Sequence, residues 1–226
     1  MANEHTVKAF DDDITRLRGL IAEMGGLAEV ALGEAMDCLM RGNIELATQV
    51  IARDKKIDAL EAEVDRLTVR IIALRAPMAD DLRQVVGALK IAGILERIGD
   101  YAKNIARSAV RIGSRTKFEP LTLVPAMADI ARSMVHDVLT AFAAHDARLA
   151  VDVVERDAKV DAFYDSLFRN LVSHMMEDPS SITTAAELLF VARNIERIGD
   201  HATNIAEIVH YAVTAEVLPD REPRTT

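Results

Sequence analysis

The stretch ILERIGDYAKNIAR occupies residues 94–107, and NIERIGDHATNIAE occupies residues 194–207. Glu-Arg-Ile-Gly-Asp, followed by Asn-Ile-Ala, therefore recurs at an offset of 100 residues. A helix advances about 100° per residue, so with Glu96 at zero Asp100 falls at about 40° and Asn104 at about 80°. Position 107 returns to about 20°. These positions make one polar ladder, while Ile91, Ile98, Ile105 and Ala109 lie on the opposite side. Glu196, Asp200, Asn204 and Glu207 repeat the ladder, with Ile198, Ile205 and Val209 opposite. The stretch is an amphipathic helix written twice. Gly99 and Gly199 sit inside it, where Gly costs about 1 kcal/mol relative to Ala. A helix that accepts this cost twice at one place is expected to be approached closely there by another backbone or a ligand.

The repeat extends outward. Arg53-Asp54-x-Lys56-x-Asp58 returns as Arg156-Asp157-x-Lys159-x-Asp161, and Leu46-Ala47 aligns with Leu149-Ala150 at the same offset of 103. Apolar residues recur at helical spacing almost everywhere, so the breaks define the elements. Arg41-Gly42-Asn43 reads as a turn with Asn43 as an N-cap, and Pro77 as a helix start. Gly113 to Pro120 reads as a linker, and His145-Asp146 as a turn with a capping residue. Glu177-Asp178-Pro179-Ser180 is a third turn, followed by Thr184-x-x-Glu187 as a capping box. The expectation is an all-α fold of six helices near residues 10–40, 43–74, 78–112, 122–143, 146–176 and 181–215. Short connections make neighbours antiparallel, which gives two tandem three-helix bundles over 1–115 and 118–216, with a disordered tail over 217–226.

Composition agrees with this reading and narrows function. The chain has 226 residues, half of them hydrophobic, 4% aromatic, with 6 Pro and 10 Gly. It is long enough for a sizeable core and too poor in turn formers for an all-β fold. A net charge of −9 argues against nucleic-acid binding. A single cysteine, Cys38, fits a reducing compartment and reads as core among Met36, Leu39 and Met40. The opening MANEHTVKAFDDD is polar and unlike a secretory leader, and no apolar run reaches the roughly 20 residues of a membrane span. The expected location is the cytoplasm, with membranes touched only through protein partners.

The middle helices add acid to the ladders. Asp54, Asp58, Glu61 and Asp65 fall within about 60° of one another. Asp157, Asp161 and Asp165 repeat this, with Tyr164 in place of Glu61. If neighbouring helices bring two such ladders together, the carboxylates repel unless a cation or protons neutralise them. All-oxygen ligand sets suit Mg, Mn or Fe, and less often Zn. Against this stands a plain solvated face, with Arg97 and Arg197 as counter-charges and no metal. Glu207-x-x-His210 has the spacing of di-iron carboxylate bundles but occurs once, with Arg107 and Val110 at the matching positions. His136, His145, His174 and His201 read as surface or capping residues.

At this point the chain resembles the PhoU family, regulators of phosphate uptake. The residues that carry the resemblance are Leu74-Arg75-Ala76-Pro77-Met78-Ala79-Asp80-Asp81-Leu82-Arg83, the two Glu-Arg-Ile-Gly-Asp signatures, and Met175-Met176-Glu177-Asp178-Pro179. The resemblance implies a non-enzymatic adaptor, often a dimer, that represses the phosphate-starvation response when phosphate is plentiful. It would couple the importer ATPase PstB to the sensor kinase PhoR through the kinase's PAS domain. It also implies metal clusters of iron or zinc on the acidic ladders. By position, Glu96 and Asp100 would be ligands in the first unit, and Glu196 and Asp200 in the second. Asp54 and Asp58, then Asp157 and Asp161, would face them, with Asn104 and Asn204 as further candidates. Asp81 and Arg83 would contact a partner. Arg107 departs from the pattern set by Glu207 and puts equal metal occupancy of the two units in doubt.

Overall fold

The computed structural model describes residues 2–113 and 122–219, with side chains from residue 8 onward. Six helices follow one another: α1 (Ala2–Arg41), α2 (Ile44–Arg75), α3 (Ala79–Ile112), α4 (Leu123–Ala144), α5 (Ala147–Glu177) and α6 (Ile182–Thr214), with a 3-10 turn at Pro179–Ser181 before α6. Among the described residues all regular structure is helical.

The helix ends follow from local chemistry. Gly42 takes a left-handed conformation (φ 65°) and Asn43 caps α2, its side chain accepting from the Leu46 N–H at 3.0 Å. Asp146 caps α5 by accepting from the N–H groups of Arg148 and Leu149, at 2.9 and 3.1 Å. Asp178 caps the 3-10 turn through the Ser180 N–H at 3.0 Å. Two expectations are corrected. Pro77 lies in the connection, not in the helix, because α3 begins at Ala79 after Met78 as its N-cap. Thr184-x-x-Glu187 is not a capping box: α6 already begins at Ile182, and Glu187 accepts from Arg111 of α3 at 2.7 and 2.9 Å. The expected linker beyond Gly113 and the expected tail beyond Pro219 lie outside the described residues.

Helices α1, α2 and α3 pack on one another, as do α4, α5 and α6. α3 also packs along α6, and α1 along α4. The result is a row α2–α3–α6–α5 with α1 and α4 across its back. α3 and α6 run antiparallel. Arg111 near the end of α3 meets Glu187 near the start of α6, while Gly87 near the start of α3 lies beside Ile208 and Ala212. Because these two helices are covered on several sides, their buried faces are rich in small residues. Ala88, Ala92, Ala102, Ala106, Ala192, Ala202 and Ala206 let the backbones come close. One continuous hydrophobic core runs through all six helices.

The duplication is visible in side-chain contacts. Arg53 of α2 pairs with Glu34 of α1 at 2.5 Å, and at the offset of 103 Arg156 of α5 pairs with Asp137 of α4 at 2.7 Å. Tyr101 and His201 occupy matching positions and stack on each other across the α3–α6 seam, ring centroids 5.3 Å apart. The seam is therefore the local two-fold of the molecule.

Candidate functional site

The acidic ladders do converge between α2 and α3. Asp54 is 7% exposed, although it carries a charge. The glycine of the opening stretch explains how it fits. A Cβ on Gly99 would lie 2.7 Å from Ile57 Cδ1 and 3.4 Å from Asp54 Oδ1. A Cβ on Gly199 would lie 3.1 Å from Asp157 Oδ1 and 3.4 Å from Val160 Cγ1. Each glycine thus lets the neighbouring helix press a buried aspartate and a branched aliphatic against α3 or α6. The close approach expected from the sequence is made by these side chains.

The electrostatics follow from that crowding. Burial, and then Asp100, Glu61, Asp58 and Asp54, push the Glu96 carboxyl above its ordinary range. Burial, Asp65 and Asp58 raise Glu61, with Arg97 offsetting part of the effect. The residue that balances this cluster is Lys103, which sequence reading passed over. Its ammonium donates to Asp54 Oδ2 on α2 and to Asp100 Oδ1 on its own helix. Burial pulls the Lys103 pKa down, but the hydrogen bonds to Asp100 and Asp54 outweigh it and leave the group raised. The signal was present in the sequence: Lys103 lies one turn beyond Asp100 on the same flank, where i, i+3 pairs meet.

Of the two counter-charges expected from sequence, Arg97 acts on Glu61, while Arg197 acts elsewhere. Arg197 lies over the Tyr101 ring at 5.8 Å. His201 joins Tyr101 Oη at 3.2 Å and Asn204 Nδ2 at 3.3 Å. Burial first, then Arg97 and Arg197, hold the His201 pKa below its ordinary value. Arg107 donates to Asn104 Oδ1 at 3.1 Å, so it engages the end of the first ladder without reaching its carboxylates.

The second half is built differently. Asp157 is 1% exposed and Glu196 6%. Arg193, which lies over the Tyr164 ring, donates to Glu196 Oε1 at 2.5 Å. The position that matches Lys103 is Thr203, whose hydroxyl donates to the Asp200 backbone carbonyl at 2.7 Å. Asp58 and Asn204 are exposed, Asp161 and Asp200 half-buried. Among the described residues no group of three or more His, Cys, Asp or Glu side chains is arranged to hold a metal ion. In the first half the place between Asp54 and Asp100 is taken by an ammonium. As they stand, the residues of the first half do not fit a metal cluster.

The remaining candidates separate. His210 Nδ1 lies 3.0 Å from the Glu216 carbonyl oxygen, just beyond the end of α6. Cys38 is fully buried, with its thiol pushed up to about 11 by burial first and then by Glu34 and Asp37, so it is a neutral core residue. Asp81 is exposed near the start of α3, and Arg83 pairs with Asp80 at 2.6 Å. Arg83 also lines an open groove of about 600 Å³ between the start of α3 and the end of α6. Leu82, Val86, Ile208, Tyr211 and Val217 supply its apolar wall, and Lys90 and Glu207 its charged edge. No helix among the described residues is long and apolar enough to cross a membrane.

Comparison with known proteins matches this architecture. A family model described as PhoU domain fits the chain twice, over residues 21–109 and 124–209. The chain is 52% identical to the phosphate-specific transport system accessory protein PhoU homolog of Zymomonas mobilis, over 96% of this chain and 92% of that protein. The crystal structure of PhoU from Pseudomonas aeruginosa superposes with a TM-score of 0.88 at 38% identity, covering 92% of this chain and 100% of that one. The phosphate transport system regulatory protein PhoU of Streptococcus pneumoniae superposes with a TM-score of 0.86 at 27% identity, covering 93% and 99%.

Proposed function

The chain belongs to the PhoU family, and from that membership we propose that it represses the phosphate-starvation response by coupling the importer ATPase PstB to the sensor kinase PhoR. The chain is an accessory and regulatory protein of phosphate transport, and its family is not a family of enzymes. In the proposed mechanism a partner that binds one form of the adaptor complex better than another shifts the population towards a form in which the kinase is held off. The protein acts as a homodimer in the cytoplasm, reaching the inner membrane through its partners.

The observation that best supports an adaptor is the groove beside Asp81 and Arg83. Its apolar wall is open to solvent, Tyr211 being 46% and Val217 80% exposed, and Arg83 and Lys90 stand along it. That combination fits an apolar segment with acidic flanks on the kinase's PAS domain. A pull-down of PhoR and PstB on the full chain, with and without phosphate, tests the reading. Leu82→Asp and Tyr211→Ser should keep the helical circular dichroism and lose PhoR. Capture of PhoR unchanged by both variants would remove the groove from the proposal. Unchanged alkaline phosphatase in high phosphate after deletion of the gene would remove the repressor role itself.

The alternative of a carboxylate-bridged metal enzyme loses ground to Lys103, and to His210, whose Nδ1 is engaged by the Glu216 carbonyl oxygen. A metal-free scaffold draws support from the same lysine.

A further inference from the structure

We propose that Lys103 is a tethered cation that closes the acidic site of the first half to divalent metal ions. The inference does not depend on the identity of the partners. Its basis is a bridge: one ammonium touches a carboxylate oxygen from each of two helices, Asp54 Oδ2 from α2 and Asp100 Oδ1 from α3. That is the position an ion linking the two ladders would take. Asp54 has little freedom to offer another arrangement, because its other oxygen lies 3.4 Å from where a Cβ on Gly99 would stand and the side chain is 7% exposed.

An ammonium has three donors and no lone pair, so Lys103 cannot share the site as a ligand. A divalent ion a few ångströms away would be repelled by it. Metal entry would therefore require Lys103, itself only 17% exposed, to withdraw into water while both carboxylates are recruited again. Tethering keeps the competitor at high effective concentration whatever the metal concentration outside.

The second half marks the difference at one residue. Thr203 stands at the position of Lys103, and its hydroxyl is turned to the Asp200 backbone carbonyl. No cation is delivered from there. The two halves thus share the buried aspartate and the glycine beside it, and differ at the residue three positions beyond the second aspartate of the ladder, lysine in one and threonine in the other.

The test uses the full chain equilibrated with Mn²⁺ or Zn²⁺, gel-filtered and assayed for bound metal, with titration calorimetry for affinity. Lys103→Thr, which copies the second half, should bind about one more ion per chain than wild type, at least about tenfold more tightly at the new site. Adding Asp54→Asn to that variant should abolish the gain. Lys103→Arg should behave as wild type. Thermal midpoints should rise with Mn²⁺ in Lys103→Thr by the mass-action increment expected of that affinity. Equal uptake by wild type and a helical Lys103→Thr would overturn the proposal. A second variant, which keeps Lys103, guards against a Lys103→Thr chain that fails to fold. Asp100→Asn in the otherwise unchanged chain should leave metal uptake as it was, and a loss there would show that the first half binds metal despite its lysine.

Discussion

Gly99→Ala tests the reason for the glycine in the repeated stretch. A Cβ at this position would lie 2.7 Å from Ile57 Cδ1, 3.4 Å from Asp54 Oδ1 and 3.7 Å from Ile57 Cγ2. Carbon atoms pack at about 3.5–4.0 Å, so the Cδ1 contact alone is short by about 1 Å. Ile57 is 2% exposed and has little room to retreat. Replacing Gly by Ala in a helix gains about 1 kcal/mol, and overpacking a core costs about 1–3 kcal/mol. The single variant should therefore lie between neutral and about 2 kcal/mol less stable. Ile57→Val removes Cδ1 and nothing else, at about 0.5–1.5 kcal/mol for the lost methyl. In that background the new Cβ meets only ordinary contacts, and Gly99→Ala should become stabilising by about 1 kcal/mol. Nature has made half of this change already, since Val160 stands at the position of Ile57 in the second half. Urea denaturation of the four proteins, followed by far-UV circular dichroism, gives the coupling directly, expected at about 1–3 kcal/mol. Additivity within about 0.5 kcal/mol would refute the argument that Ile57 is what the glycine accommodates.

Two further outcomes follow from the helix ends. Asp146→Ala removes an acceptor for two N–H groups at the start of α5 and should cost about 1 kcal/mol in the same denaturation experiment, whereas an unchanged midpoint would show the cap to be idle. His145 ends α4 in a left-handed conformation (φ 54°), and burial, then Arg18, lower its pKa. As pH falls, the unfolded chain takes up this proton first, near its ordinary value of about 6.5. The stability contribution of neutral His145 is therefore present above that pH and lost as pH falls through the folded value. His145→Asn, which tolerates the left-handed conformation, should flatten the decline of stability between about pH 7 and 5. The same decline in both proteins would rule His145 out as its source.

The helices and their duplication are legible in the chain before any packing is known. Hydrophobic periodicity, the caps at Asn43 and Asp146 and the repeats at offsets of 100 and 103 are local or internal properties of the chain. They need no knowledge of what packs against what. The convergence of the ladders on α2 and α3 was legible conditionally, since it needed only that the two helices be neighbours. Which charge balances that cluster depends on packing. Lys103, Arg97 and Arg107 are all basic and all within reach on a helical wheel, yet among these three it is Lys103 that donates to Asp54 and Asp100, because it lies on the flank of α3 that closes over Asp54, while Arg97 acts on Glu61 and Arg107 on Asn104. Arg197 meets an aromatic ring across the seam, a pairing set by the antiparallel approach of α3 and α6. Sequence cannot supply that approach, since Tyr101 and His201 are 100 residues apart and meet only when the core joining both halves has closed. The glycines show the same division: their cost in a helix is written in the residue type, and what makes it worthwhile is the aspartate and branched side chain pressed in from the next helix.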